Sequence, residues 1–497
     1  MQQVPFQAPE PTSPPSSSAA VPAPMDPRSG FCTATRTFRS LRPPIPLPPA
    51  DAPVSFPSFA LSRLPSPLPA HPAFLDASTG AALSFPALID RVRSLAVALR
   101  GVLGVAKGDV ALVLAPPSLD VPVVFLALLS LGAIVSPHSP LSTAADVAHA
   151  VGLCSPSIVF ATADTVSRVP AAARTKLAVI LLDSPQFASL LHGHEQAGAD
   201  GPPVAVRLSD VAAIAYSSGT TGRTKAVAQS HRRLIASSLE VPTARPRAPG
   251  GGPVVTLLGV PMFHSYGFNM LMRGVLMAET TAVVTAPRGG AAGVLAAAAR
   301  CGATQMFVAP PVVLAMTRGG AGPEGFPDLV RVDCGGAPLS GAAASAFHER
   351  FPDVDLSLAL GSTEGGVISK MVGHEECCRI KSTGRLCSGV EAKVVDIISG
   401  EALSANQQGE LFIRSPSVML GYVGGNETRI CAFDSDGWLK TGDLCYFDED
   451  GFLHIVDRLK DLIKYKAYQV TPTELEDLLH LIPGIFDAAV VPYVLLK

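Results

Sequence analysis

Nothing in this sequence is apolar for long enough to cross a bilayer. The longest apolar run, Val121 to Val135, falls short of the ~20 residues a spanning helix needs, and Pro116, Pro117 and Asp120 interrupt it upstream. A buried helix is expected there, with no membrane span. The chain opens without a basic segment followed by an apolar one, which argues against a secretory signal. No CxxC pair occurs, and the nine cysteines are scattered apart from Cys377-Cys378. That excludes zinc-ligand spacing and favours reduced thiols in an intracellular protein. His374 near Cys377 lacks a second half-site for a metal. Charge is scarce too, at 16%, and 38 basic side chains nearly cancel 41 acidic ones. No nucleic-acid or polyanion partner is expected from that balance.

What is present is core-forming material. With 497 residues and 48% apolar side chains the chain exceeds one ordinary core, so two or more domains are expected. Residues up to about Ala70 are rich in Pro, Ser and Ala with little periodicity, which predicts disorder or extended chain at least to Pro24. Arg28, Arg36, Arg39 and Arg42 raise a transit peptide; Glu10, Asp26, Asp51 and the prolines argue against an amphipathic targeting helix. From Ala82 onward, helical and strand-like segments alternate. Phe85 to Leu103 carries Leu88, Val92, Leu95 and Leu99 at helical spacing, and Val121 to Leu131 follows as a buried helix. Short apolar runs at Val110–Leu114, Ser157–Ala161, Ala178–Leu182, Val211–Ala215, Val254–Val260, Thr281–Thr285 and Gln305–Ala309 read as strands. The alternation predicts parallel sheets covered by helices. After about Lys381 the texture changes to short strands at Glu391–Ile397, Gly409–Arg414 and Phe452–Val456 between turns, which predicts a β-rich subdomain. Asp457 to Asp461 reads as a charged linker. Thr471 caps a helix over Pro472 to Leu481, and Ala488 to Val491 reads as a last strand.

The densest chemistry lies at Tyr216-Ser217-Ser218-Gly219-Thr220-Thr221-Gly222-Arg223-Thr224-Lys225. Glycines allow backbone N–H groups to approach an anion, hydroxyls add donors, and Lys225 adds a positive charge. It is not a Walker A loop, since only Thr220 and Thr221 separate its glycines and Ala226 follows the lysine. The plain alternative is a polar surface turn. A strand before the loop and a lysine closing it favour a triphosphate grip.

Three further elements follow in order: Gly361-Ser362-Thr363-Glu364, Thr441-Gly442-Asp443-Leu444 and Val456-Asp457-Arg458-Leu459-Lys460-Asp461-Leu462-Ile463-Lys464-Tyr465-Lys466. With the loop, they resemble the acyl-adenylate-forming superfamily, specifically plant 4-coumarate–CoA ligases and the 4-coumarate–CoA ligase-like proteins of phenylpropanoid metabolism, from about Arg39 to the last residue. The resemblance implies an α/β fold: a large N-terminal domain of parallel sheets covered by helices plus a β-rich subdomain, then a hinge and a partial small α+β C-terminal domain. The corresponding boundaries are a leader over 1–30, the large domain over 31–457 with its β-rich part at 381–457, the hinge over 458–461 and the small domain over 462–497. It implies an acid–thiol ligase using ATP, Mg2+ and coenzyme A. A carboxylate attacks the α-phosphate to give acyl-AMP and pyrophosphate, and the CoA thiol then displaces AMP. Little covalent work falls to the protein in the first half; positioning and charge neutralisation dominate.

The residue roles implied are these. Ser217, Ser218, Gly219, Thr220, Thr221 and Lys225 hold the β- and γ-phosphates, Thr363 meets the α-phosphate, and Glu364 binds Mg2+ as a hard-oxygen ligand. Asp443 and Arg458 hold the ribose. His264, Tyr266 and Gly336 belong to the acyl pocket, with His264 also catalytic, in Pro261-Met262-Phe263-His264-Ser265-Tyr266-Gly267. Lys460 is the hinge, Lys464 and Gln469 face the nucleotide and acyl transfer, Lys466 and Ala467 edge the CoA tunnel, and Arg288 meets CoA phosphates. The plain alternative for these lysines is a solvated basic run. Three departures stand out. Leu360 replaces the aromatic residue usual over adenine, which predicts weaker ATP binding. Ala467 replaces a glycine. The stretch after Lys460 is several times shorter than the family's mobile domain and lacks its lysine-bearing Pro-x-Ser/Thr-x-Ser/Ala-Gly-Lys element, so a truncated domain with altered turnover is expected. A hydroxycinnamate is the implied substrate, with fatty or oxylipin acids, or an impaired nucleotide- or acyl-binding protein, as alternatives. A monomer in the cytoplasm, or in the peroxisome, is expected.

Overall fold

The structure, a computed structural model, describes residues 25–192, 204–217, 224–244, 252–285, 289–319, 322–424, 432–465, 468–480, 482, 485 and 488–491. Two sheets supply the parallel layers. A seven-stranded sheet runs in the order Gly421–Tyr422, Lys225–Ser230, Val211–Ser217, Ile134–Pro137, Val110–Leu114, Ile158–Ala161, Ala178–Leu181. Its last five strands are parallel, and its first two add on antiparallel. A nine-stranded sheet runs Arg385–Leu386, Gly366–Lys370, Asp355–Ser362, Arg331–Cys334, Gln305–Val308, Val255–Leu258, Thr280–Val283, Pro72–Asp76, Ala82–Ser84. It is parallel except at its two ends.

Helices between the sheets follow from the apolar pattern. Phe85–Gly101 starts at Ser84, whose side chain accepts from the Ala87 N–H, and buries Leu88, Val92, Leu95 and Leu99 along one face. Asp120–Ser130 is buried on all sides over Val121–Leu129, as befits a helix sandwiched between layers. Phe125 from it meets Phe268 edge to face at 5.2 Å, which seats the helix Ser265–Leu276 in the main core. Gly267 in that helix lies so close to the Pro261 carbonyl that a Cβ there collides with backbone. We expect Gly267→Ala to destabilise the chain by about 1–3 kcal/mol, the usual cost of overpacking; a thermal melt reads this directly.

A third, fully antiparallel sheet of six strands forms the β-rich layer: Phe31–Cys32, Thr37–Arg39, Glu391–Val395, Gly409–Arg414, Leu439–Phe447, Leu453–Arg458. Its first two strands come from the Pro-rich N-terminal region, so the leader expected over 1–30 gives way to structure from Met25, which bridges to Cys32. Stacked Phe38 and Phe447 rings, 4.2 Å apart, anchor that hairpin. The four arginines weighed as targeting charges are engaged in the fold. Arg28 pairs with Asp450, Arg39 with Glu391 and Arg42 with Glu376, while Arg36 donates to the Ala402 carbonyl. A short helix, Phe56–Ser62, also interrupts the region expected to be extended, with Ser55 capping the Ser58 N–H. Residues 1–24 lie outside the described residues.

Past Arg458 come a hairpin, Ile463–Tyr465 with Tyr468–Val470, and the helix Pro472–His480. The charged linker is shorter than expected, because Asp457 and Arg458 complete the strand Leu453–Arg458. The strand expected over Ala488–Val491 does not form among the described residues. The Val490 N–H is instead taken by Glu476 Oε1 at 2.8 Å, and a strand needs a ladder partner to persist.

Candidate active site

A cavity of about 630 Å³ opens where the three sheets meet, and it collects residues from every motif singled out above. The hairpin between Asp355–Ser362 and Gly366–Lys370 contributes its tip. A three-residue loop of this kind needs a left-handed residue at its end, and Gly366 supplies φ +73°. The Gly365 N–H donates to Ser362 Oγ (2.8 Å), closing the tip. Thr363 and Glu364 then line the cavity. Thr363 Oγ1 lies 3.2 Å from Ser265 Oγ, and Glu364 Oε1 accepts from Ser217 Oγ (2.8 Å) and Tyr422 OH (3.1 Å). Burial, then the neighbouring Glu364 charge, pushes the Tyr422 hydroxyl well above its ordinary pKa, so it stays a donor. Lys225 Nζ stands 4.8 Å from the Tyr422 ring centroid. The strands Val211–Ser217 and Lys225–Ser230 pair antiparallel, with Lys225 opposite Ser217, so both ends of the hydroxyl-rich loop face the cavity. Ser218, Gly219, Thr220 and Thr221 lie outside the described residues, as do Arg288, Lys466 and Ala467.

On the opposite wall, the antiparallel register sets Asp443 across from Arg458. Arg458 Nε binds Asp443 Oδ1 at 2.8 Å; Asp443 is buried, and its Oδ2 has no hydrogen-bond partner among the described residues. Burial raises the Asp443 pKa, against the lowering influence of Arg458. Asp443 sits just behind the lining, which takes its chain neighbour Gly442, along with Thr441, Arg458 and Lys460. Lys464 and Gln469 stand opposite each other in the small hairpin.

The far end is built on the helix Ser265–Leu276. His264 is its N-cap, with Nδ1 accepting from the Tyr266 N–H at 3.2 Å, and burial lowers its pKa. The structural and the chemical reading of His264 are therefore compatible: one ring nitrogen caps the helix while the ring lines the cavity. Tyr266 OH donates to the Asp333 carbonyl (3.0 Å), and Gly336, at φ +88°, lies beside it in the lining. Beneath them the Asp333 carboxylate is gripped by Arg331 (2.8 Å) and Lys370 (2.6 Å). Burial would raise its pKa, but those two cations bring it down to about 2.

Sequence reasoning missed Tyr422, Ser265, Asn269 and Met270. Tyr266, Asn269 and Met270 fall at i, i+3 and i+4 of one helix, a spacing that puts them on one face and was readable in advance. The Asn269 Oδ1 is buried and has no hydrogen-bond partner among the described residues. Leu360 is placed differently from expectation. Ala359 and Gly361 line the cavity, while Leu360, on the alternate face of the strand, packs against the core of the β-rich layer. Among the described residues no group of three His, Cys, Asp or Glu gathers that could hold a metal by itself. His374 instead meets Asp355 Oδ1 at 3.1 Å.

Layered α/β sheets, an antiparallel third sheet and a cleft lined by Ser217 and Lys225, the Thr-Glu tip and Arg458 of the Asp–Arg pair define an adenylate-forming class of protein, and the chain belongs to the AMP-binding enzyme family, whose profile matches residues 65–423. Within it, the chain is 44% identical to 4-coumarate–CoA ligase-like 6 of Oryza sativa subsp. japonica, over 94% of this chain and 81% of that one. It is 41% identical to 4-coumarate–CoA ligase-like 9 of Arabidopsis thaliana (94% and 85% covered) and 39% identical to peroxisomal OPC-8:0-CoA ligase 1 of the same plant (94% and 86%). Among solved structures, ATP-bound MatB from Rhodopseudomonas palustris superposes with a TM-score of 0.77 at 25% identity, covering 88% of this chain and 85% of that one.

Proposed function

We propose that this chain is an ATP-dependent carboxylate–CoA ligase acting on 4-coumarate or a related hydroxycinnamate. The observation that carries the reading is convergence: Ser217, Lys225, Thr363, Glu364, Arg458 and Lys460, from distant parts of the chain, all face one cavity whose other end carries His264 and Tyr266. In the first half-reaction a substrate carboxylate oxygen attacks the α-phosphorus, and the bond to pyrophosphate breaks. Lys225 and the Ser217 loop would neutralise the departing phosphates, and Thr363 would donate to the α-phosphate. Asp443, whose Oδ2 has no donor among the described residues, would accept from the two ribose hydroxyls with Arg458 beside it. In the second half the CoA thiol attacks the acyl carbon, the bond to AMP breaks, and the thiol proton leaves. Lys460, Lys464 and Gln469 are the residues proposed to serve that stage, with Arg288, Lys466 and Ala467 along the CoA path.

Glu364 suits a divalent cation of the magnesium type. Two hydroxyl donors orient its carboxylate through Oε1, and a single carboxylate beside phosphate oxygens is the donor set such an ion favours while keeping several waters. Bound there, the ion would offset phosphate charge.

The hydroxycinnamate choice rests on Asn269. Asn269 stands in the lining beside Met270, and its Oδ1, closed off from solvent and without a hydrogen-bond partner among the described residues, would become an acceptor beside an apolar wall once the side chain turns toward a bound acid. A phenolic hydroxyl satisfies the first and its ring the second. The second reading, a fatty or oxylipin acid, draws on the 39% identity to a relative named for OPC-8:0. Pyrophosphate exchange over a panel of carboxylates separates them. We expect hydroxycinnamates to lead, and Met270→Ala to shift preference toward bulkier acids by about tenfold, the scale set by a few methylenes in a pocket. Exchange only with long-chain acids selects the second reading; background exchange with every acid leaves a nucleotide-binding protein.

A further inference from the structure

Arg233 is the bulkiest of the side chains with no solvent exposure at all, and it does not line the cavity. A guanidinium so deeply buried ordinarily faces a carboxylate. Arg233 makes no ion pair among the described residues. Its two terminal nitrogens donate to consecutive backbone carbonyls, Nη2 to Thr363 (2.7 Å) and Nη1 to Glu364 (3.2 Å), while its Nε is buried without a partner among the described residues. The Glu364 carbonyl also accepts from the Met419 N–H at 2.7 Å. Arg233 itself is fixed from below, because its N–H donates to Ser230 Oγ (3.2 Å) in the first turn of the helix His231–Ala244.

We infer that Arg233 is a positioning residue for the phosphate and cation side of the cleft: its planar fork locks the peptide planes of Thr363 and Glu364 and thereby aims their side chains into the cavity. The inference rests on the proposed reading of that cleft as a MgATP site. Two parallel donors on a rigid plane suit adjacent carbonyls better than a lysine's single ammonium. A purely structural pin would not need the charge. Burial costs that charge enough to lower the Arg233 pKa to about 10, with Glu364 opposing the shift, and bound phosphates would add the missing countercharge.

The test uses Arg233→Gln, Arg233→Met and Arg233→Lys in the full chain, with two readouts. Hydrogen exchange on the free protein follows the amides of Gly365 and Met419, against strand Val110–Leu114 as the internal reference. Equilibrium binding compares MgATP with AMP. We expect exchange at those two amides to rise by about tenfold or more in the Met variant, and MgATP affinity to fall by a similar factor of about ten, the size of one lost charge-assisted hydrogen bond, while AMP, which keeps the α-phosphate but neither the outer phosphates nor their cation, loses less. The Gln variant should restore exchange protection but not MgATP affinity, and Lys should restore part of both. Unchanged exchange in a folded Met variant overturns the inference, and so does an equal loss of AMP and MgATP affinity in any of the three. Should the Met variant fail to fold, the Gln and Lys variants carry the same comparison. A wild-type chain that binds neither nucleotide refutes the reading of the cleft, and the exchange data still decide Arg233.

Discussion

Replacing Asp443 with alanine will abolish useful nucleotide binding without unfolding the chain. Its carboxylate is proposed to take two ribose hydroxyls, and hydrogen bonds to a charged group contribute about 1.5–3 kcal/mol each, so AMP and MgATP affinity should fall by at least about 100-fold. Stability should move the other way or not at all. Burial raises the Asp443 pKa more than Arg458 lowers it, so the folded state disfavours the ionised form. A group with its folded pKa raised stabilises only while protonated, below its unfolded pKa, and that contribution is gone once pH exceeds the folded value. At neutral pH the ionised Asp443 is therefore a cost, and the half-exposed Arg458 can turn to solvent when its partner is removed. The check is a pair of measurements on one variant: nucleotide titration and thermal melt. Retained AMP affinity would remove Asp443 from the proposed site, and a large drop in melting temperature would make it a structural residue.

Glu364→Gln should have the second large effect, this time on chemistry. The amide oxygen of glutamine can still accept from Ser217 and Tyr422, so the hairpin tip keeps its shape while the negative charge is lost. We expect pyrophosphate exchange to drop on the order of 100-fold or more, the cost typical of deleting one preorganised electrostatic group from an active site. The magnesium concentration for half-maximal exchange should rise alongside it. Equal exchange at saturating magnesium would mean that Glu364 only sites the ion. Equal exchange at every magnesium concentration would exclude it as a ligand. AMP, which lacks the β- and γ-phosphates, should bind the variant as it binds the parent, in contrast with the alanine replacement of Asp443.

Both variants test residues that were readable in the sequence, and the reasons are physical. Val110–Leu114 and Gly409–Arg414 form strands with the bounds expected, because short apolar or alternating runs between turn residues leave little choice of structure. Thr363, Glu364, Asp443 and Arg458 were singled out by the motif resemblance, and the structure sets Thr363, Glu364 and Arg458 in the cavity lining with Asp443 paired to Arg458 behind it. Tyr422 and Arg233 were not singled out. Tyr422 belongs to a two-residue strand that exists only by pairing with Val227 and Ala228, and Arg233 reaches the tip from a helix some 130 residues away in sequence. Leu360 was assigned to the cleft by its place in a motif, yet strand alternation turns it into the core of the β-rich layer. The arginines near the N-terminus raised the idea of targeting charge, against which the nearby acids and prolines argued; their roles in the fold were not legible because the acidic partners of Arg28, Arg39 and Arg42 lie hundreds of residues downstream.

That last arrangement sets a timetable for synthesis. The hairpin from Phe31 to Arg39 closes onto Glu391–Val395, so it leaves the ribosome long before the strand that completes it exists. At about 5–20 residues per second the wait is roughly 20–70 s. During it Phe31 and Phe38, destined for the interior of the β-rich layer, have no sheet to join. A nascent chain in this condition is a natural client for a holding chaperone, and the β-rich wall of the cleft should be the last part of the molecule to mature.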